Sequence, residues 1–229
     1  MVYEAVQVGE TDKGEFYQVN APLDKAVRAL SAVGIPAPFL ATPSQMTDFR
    51  LTHPDKANQS STRTSCAPVK VRSKPTIITA NSPWLLDEAT AKVAVEAHRR
   101  GEYPTLHTGF YDALEEIAQR QSSLEPEDRT VHILGGKPDS DSIITLVPDS
   151  DDARFLIKRL ASNYFTQFNH PTILLYDLSD ENIPKGVATV NYLWFFSPDF
   201  GSYFDAWYGA LYDGDRSSGV LPKTAKGGS

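Results

Sequence analysis

The stretch VKVRSKPTIITANSPWLLDEATAKVAVEAHRRG, residues 69–101, decides the fold class. It opens with two short runs rich in β-branched residues, which predict strands. Ser82 and Pro83 then suit the first turn of a helix. On that helix one side is expected to face the core, because its apolar residues recur at helical spacing: Leu86, Ala89, Val93 and Ala97. Strands followed directly by an amphipathic helix indicate a domain that mixes both element types.

The rest of the chain repeats this mixture without a strict strand–helix alternation. Alternating apolar residues predict a hairpin from residues 2–8 and 15–19, a second hairpin from 130–134 and 142–147, and apolar strands at 171–178 and 187–196. Helical spacing predicts helices at 23–34, 44–50, 82–100, from Thr108 onward, at 150–168 and at 202–212. Such an order favours an α+β fold, with a mostly antiparallel or mixed sheet and about four to five helices packed on it.

The chain of 229 residues is expected to form one globular domain over residues 1–212. Residues 53–66 are polar, small and without pattern, which is typical of a mobile loop. Residues 213–229 contain almost no apolar side chain, so we expect a flexible C-terminal tail.

The distribution of charge makes nucleic-acid binding an unfavoured function. The formal net charge is −7, and residues 139–215 carry 4 Lys/Arg against 12 Asp/Glu, which disfavours nucleic-acid binding there. One basic stretch has no interleaved aromatic residue to stack on a base, and is interpreted as a solvated loop: Lys56, Arg63, Lys70, Arg72 and Lys74.

The cysteine content points to a reducing compartment. Cys66 is the single cysteine, so the chain has no internal disulfide, and a cytoplasmic location is expected. The first residues lack the basic and apolar blocks of a signal peptide, and no apolar run is long enough to span a membrane.

The strongest compositional anomaly is aromatic. Ten of the 24 Phe, Tyr and Trp residues fall between positions 192 and 212, more than one core seam accommodates. Surplus Tyr and Trp are typical of contact surfaces, although an aromatic core seam is the competing interpretation. The sequence therefore predicts a non-catalytic protein that binds a protein partner, or itself, without a cofactor, through five residues: Trp194, Tyr203, Trp207, Tyr208 and Tyr212.

The alternative is a metal-dependent hydrolase or phosphotransfer enzyme. Asp177 follows an apolar strand, and Asp139 and Asp141 fall in a predicted turn, so the three carboxylates could hold Mg²⁺ or Mn²⁺. In that interpretation Asp177 and His132 are catalytic, with His132 as the base. A histidine inside a strand is more often structural, and no phosphate-loop, zinc or serine-nucleophile motif accompanies these residues.

Overall fold

The computed structural model describes most of the chain, in several segments. Side chains are described for residues 2–53, 55, 62–134, 179–193 and 211–223, and the backbone alone for 143–145, 174–176, 194–195 and 203–205. The predicted helix at 150–168 lies outside these residues.

The described residues form thirteen strands and four α-helices, with short 3₁₀ turns between them. The helices are α1 (Leu23–Ala32), α2 (Pro43–Thr52), α3 (Glu88–Arg99) and α4 (Thr108–Arg120). The strands are β1 (Val6–Glu10), β2 (Gly14–Asn20), β3 (Thr62–Arg63), β4 (Ala67–Lys70), β5 (Ile77–Thr79), β6 (Thr105–His107), β7 (Val131–Ile133), β8 (Ile143–Thr145), β9 (Leu174–Tyr176), β10 (Val187–Val190), β11 (Trp194–Phe195), β12 (Tyr203–Asp205) and β13 (Arg216–Pro222).

The strands are arranged in two sheets. The larger has the order β1-β2-β13-β3-β11-β12-β9-β8 and the smaller has the order β6-β10-β4-β5-β7. All recorded pairs are antiparallel except β12 with β9 and β13 with β3. Mixed and antiparallel sheets with four helices confirm the α+β prediction.

Helix α1 follows its sequence pattern closely. Its buried residues include Leu23, Ala26, Val27 and Leu30, and Gly34 with a φ of +89° ends the segment. The helix packs against α3, and the two share one apolar core with residues of both sheets, among them Val19 of β2 and Val69 of β4.

Helix α3 begins later than the sequence predicts and turns a different side inward. Ser82 caps only a 3₁₀ turn, Pro83–Leu85, and Asp87 caps the helix itself by accepting a bond from the Thr90 N–H at 2.8 Å. The buried side is Ala91, Ala94, Val95 and Ala97, whereas Leu86 and Val93 are 61% and 56% exposed. Of the expected inward side, only Ala97 is buried. The prediction was wrong because Ala91, Ala94 and Val95 also recur at helical spacing, and that side is the one that faces the core.

The second predicted hairpin does not form. β7 pairs with β5 in the smaller sheet, and β8 pairs with β9 in the larger one. Two strands that are close in sequence therefore enter different sheets. The segment 203–205 is also a strand, where the pattern predicts part of a helix over 202–212.

The expected flexible tail was wrong for residues 216–222, which form β13. This strand lies between β2 and β3 and pairs with β2 over seven positions. Ser217 and Ser218 are fully buried, and Gly219 is buried beside them. A segment poor in apolar residues forms a strand here because small side chains fit between its neighbours, and its backbone pairs with β2 along its length and with β3 at Ser217.

Candidate functional site

The C-terminal turn, residues 211–215, follows from the aromatic segment, residues 192–212, and leads into β13. The turn is fixed to the start of α1. Leu211 is fully buried, and its carbonyl accepts a hydrogen bond of 2.9 Å from the Leu23 N–H. The Asp215 carbonyl accepts a second one, of 3.3 Å, from the Ala21 N–H. Both ends of the turn are thus tied to the same neighbouring segment.

The side chain of Arg63 anchors the turn from inside the protein. It is fully buried, and its Nη1 donates to the carbonyl of Ala21 at 2.9 Å, the carbonyl of Asp215 at 3.2 Å and Oγ of Ser217 at 3.1 Å. Its Nη2 donates to the Asp213 carbonyl at 3.2 Å. One guanidinium therefore holds three points of the C-terminal segment and one point before α1, as its planar set of five donors permits.

The charge of Arg63 is retained inside the fold. Burial lowers the pKa of Arg63 to about 10, and the nearby Asp215 carboxylate opposes that effect. The guanidinium is still protonated at neutral pH. Oδ2 of Asp215 lies 3.8 Å from Nη2 of Arg63, and the carboxylate is 47% exposed, so it reaches both the buried cation and solvent.

The outer side of the C-terminal turn carries one aromatic ring and two carboxylates. Tyr212 is 41% exposed, although its neighbour Leu211 is fully buried. Asp213 and Gly214 are exposed, and Asp215 is partly so. An exposed tyrosine between a buried anchor and acidic neighbours can contact a partner through its ring, its hydroxyl and the adjacent charges.

The five predicted partner-binding residues are described to different extents. Tyr212 lies on the outer side of the turn, while Trp207 and Tyr208 lie outside the described residues. Trp194 and Tyr203 are described as backbone only: Trp194 pairs with Arg63 of β3, and Tyr203 pairs with Leu174 of β9. Tyr192, at the start of the aromatic segment, is fully buried, so the segment supplies the core as well as the surface.

Of the residues of the metal-enzyme alternative, only His132 lies among those described. It is 6% exposed on β7, opposite Ile78 of β5, and its Nε2 lies 3.2 Å from the carbonyl oxygen of Arg129. That setting is typical of a structural histidine. Asp139, Asp141 and Asp177 lie outside the described residues. In the part of the chain that the structure describes, no group of three His, Cys, Asp or Glu side chains is placed to hold a metal ion.

The basic stretch is not the solvated loop that the sequence predicts, as far as it is described. Besides the buried Arg63, Lys70 lies 3.7 Å from Asp180, and Arg72 donates to the carbonyls of Ile183 and Glu181. Lys74 forms ion pairs with Asp112 and Glu115 at 3.1 and 2.9 Å. All four cationic side chains therefore form hydrogen bonds or ion pairs within the fold. Arg63 was missed as an anchor because nothing in its local sequence separates it from a surface arginine.

Comparison with known proteins adds no family to this picture. No family model, curated protein or solved structure matches the chain. Among the described residues, the helices are too short or too polar for any of them to cross a membrane.

Proposed function

We propose that this chain is a non-catalytic interaction protein whose contact surface centres on Tyr212 of the C-terminal turn. The observation that carries the proposal is an exposed tyrosine on a turn whose backbone is held by a buried arginine. The proposal keeps the cytoplasmic location expected from the single cysteine, Cys66.

The anchoring of the turn lowers the entropic cost of binding. A surface loop that must become ordered loses conformational entropy when a partner binds. Here the carbonyls of Asp213 and Asp215 are already held by Arg63, and the Leu211 carbonyl by the Leu23 N–H. Tyrosine adds contact area while losing little rotamer freedom, which suits it to a binding hot spot.

The charges around Tyr212 favour a basic partner over a second copy of the chain. Asp213 and Asp215 follow the tyrosine. Although Asp215 also lies 3.8 Å from the buried Arg63, bringing two such turns together would oppose the exposed Asp213 carboxylates. A basic surface would complement the two aspartates.

The metal-enzyme alternative is less favoured. Its proposed base, His132, is buried in β7, and this favours the interaction function over a hydrolase using Asp177.

Site-specific photocrosslinking tests this proposal. A benzophenone amino acid replaces Tyr212 in one sample and Leu124 in another, since Leu124 is 43% exposed and distant in sequence. The proteins are irradiated in cell extract, and covalent adducts are identified by mass spectrometry. We expect discrete adducts with basic proteins from position 212 that decrease at high salt and are absent from position 124. The same adducts from both positions would contradict the proposal.

A further inference from the structure

A cavity of about 400 Å³ lies at the β1-β2-β13 end of the larger sheet. It shares Val2, Tyr3 and Glu4 with a neighbouring cavity that α1 lines. Its apolar walls include Val2, Tyr3 and Val6, and its polar walls include Gln18, Asn20 and Arg216. The strand register places the polar groups on one face, because Arg216 pairs with Asn20, which is two residues from Gln18 on β2. Val6 pairs with Gln18 and so lies beside them. The volume falls within the range of small-molecule sites, roughly 300–1,000 Å³.

Arg216 is the unusual member of this lining. Its side chain is half-buried, and burial lowers the pKa of its guanidinium. Within the described part of the chain, that guanidinium forms no hydrogen bond or ion pair, whereas Arg63, Arg72 and Arg129 each donate to backbone carbonyls. Partial desolvation strengthens the attraction between a cation and an anion, so an anion that enters the cavity would form a charge-assisted contact with Arg216.

The lining also indicates the kind of anion. One guanidinium matches one carboxylate, and the two can form a pair of parallel hydrogen bonds. Glu4 also lines the cavity, and its negative charge would repel a doubly charged phosphate more than a singly charged ligand. The side chains of Val2, Tyr3 and Val6 offer contacts to an apolar body. We propose that this cavity binds a small organic carboxylate, with the carboxylate on Arg216 and its apolar part against Val6 and Tyr3.

This site is separate from the C-terminal turn, although the two are adjacent in sequence. Successive residues of a strand point to opposite faces. Ser217 points toward Arg63 and the core below α1, so Arg216 points to the other face of β13. The carboxylate site can therefore exist whether or not Tyr212 binds a partner.

The test uses hexanoate as the probe and follows the backbone amides by ¹H–¹⁵N NMR. We expect saturable shifts at Gln18, Asn20 and Arg216, with weaker effects from hexanol and from inorganic phosphate. Arg216→Gln should weaken hexanoate binding roughly 10- to 100-fold, the loss expected for one charge-assisted contact. Arg100→Gln is the matched control and should bind as the wild type does, because Arg100 is exposed and lines neither this cavity nor the neighbouring one.

A second variant leaves Arg216 in place. Val6 is 61% exposed, so Val6→Asp should fold normally, yet it adds a negative charge to the cavity and should also abolish binding. Tyr212→Ala should leave hexanoate binding unchanged. Absence of saturable shifts in the wild type, equal binding by Arg216→Gln, or equal binding of hexanol would each overturn the proposal. Tighter binding of phosphate than of hexanoate would overturn the ligand class.

Discussion

Replacing Arg63 with methionine should destabilise the protein far more than the same change at an exposed arginine. Arg63→Met keeps the aliphatic volume of the side chain but removes its hydrogen bonds, which among the described residues include three to carbonyls and one to the buried Ser217 hydroxyl. The carbonyls of Ala21, Asp213 and Asp215 lose the guanidinium that binds them.

The expected magnitude follows from the burial of the group. Hydrogen bonds from a charged donor contribute roughly 1.5–3 kcal/mol each, but four bonds from one group are not additive, and a buried cation costs several kcal/mol to desolvate. Leaving a buried acceptor unsatisfied costs about 1–3 kcal/mol, and the removed desolvation cost of the guanidinium offsets part of the sum, so we expect a net loss of about 3–5 kcal/mol. For a chain of 229 residues, that loss lowers the melting temperature by about 6–20 °C.

Arg129 provides the matched control. It also donates to backbone carbonyls, those of Ser122 and Leu124, but these bonds are exposed to solvent. Arg129→Met should cost no more than about 1 kcal/mol, because water replaces the lost bonds. Urea unfolding followed by circular dichroism measures both variants. Hydrogen exchange at the Leu23 amide, which donates to Leu211, should accelerate only in Arg63→Met. Equal losses of stability in the two variants would refute the anchoring role.

Further predictions concern β13, the cap of α3 and metal ions. Gly219→Ala should destabilise the fold by about 1–3 kcal/mol in urea unfolding, because the added methyl group would clash with the Phe39 carbonyl oxygen. Gly214→Ala is the control and should be neutral, because no atom lies within 4 Å of the added carbon. The hydrogen bond from the Thr90 N–H lowers the pKa of the Asp87 carboxyl in the folded protein. The ionised carboxylate therefore stabilises the fold at pH values above the carboxyl pKa of the unfolded chain. That contribution is lost as the pH falls through the lower pKa of the folded protein. Asp87→Ala should therefore be less stable than the wild type at neutral pH, and a pH series of urea unfolding should show that difference shrinking in acid. The melting temperature should be the same with Mg²⁺ or Mn²⁺ as with EDTA. A clear rise in melting temperature with either ion would instead favour the hydrolase that uses Asp177.

Local sequence patterns were sufficient to predict α1 and the β1–β2 hairpin. The apolar spacing of Leu23, Ala26, Val27 and Leu30 predicts α1, and Gly34 predicts its end. The alternating residues around positions 2–8 and 15–19 predict the β1–β2 hairpin, whose strands are joined by a short turn. In each case the deciding residues are a few positions apart, so the sequence contains the whole signal.

The anchor of the candidate site could not be predicted because its cause is long-range. Arg63 bonds to residues about 150 positions later in the chain, and its own neighbours are polar and small. The position of β13 depends on pairing with β2 and on the space beside Arg63, neither of which leaves a local pattern. Tyr212 was identifiable as part of an aromatic excess, but its exposure follows from Leu211 being buried next to it.

The most direct test of the interaction surface compares binding with stability in Tyr212→Ala. Binding to the partner identified by crosslinking is measured by calorimetry, and the free energy of unfolding by urea denaturation, with Leu124→Ala as the control. The account predicts at least about tenfold weaker binding, as truncation of a hot-spot residue produces. It also predicts a change in unfolding free energy within about 0.5 kcal/mol, as for an exposed residue. Unchanged binding with a clear loss of stability would show that Tyr212 belongs to the core, and would contradict the central claim.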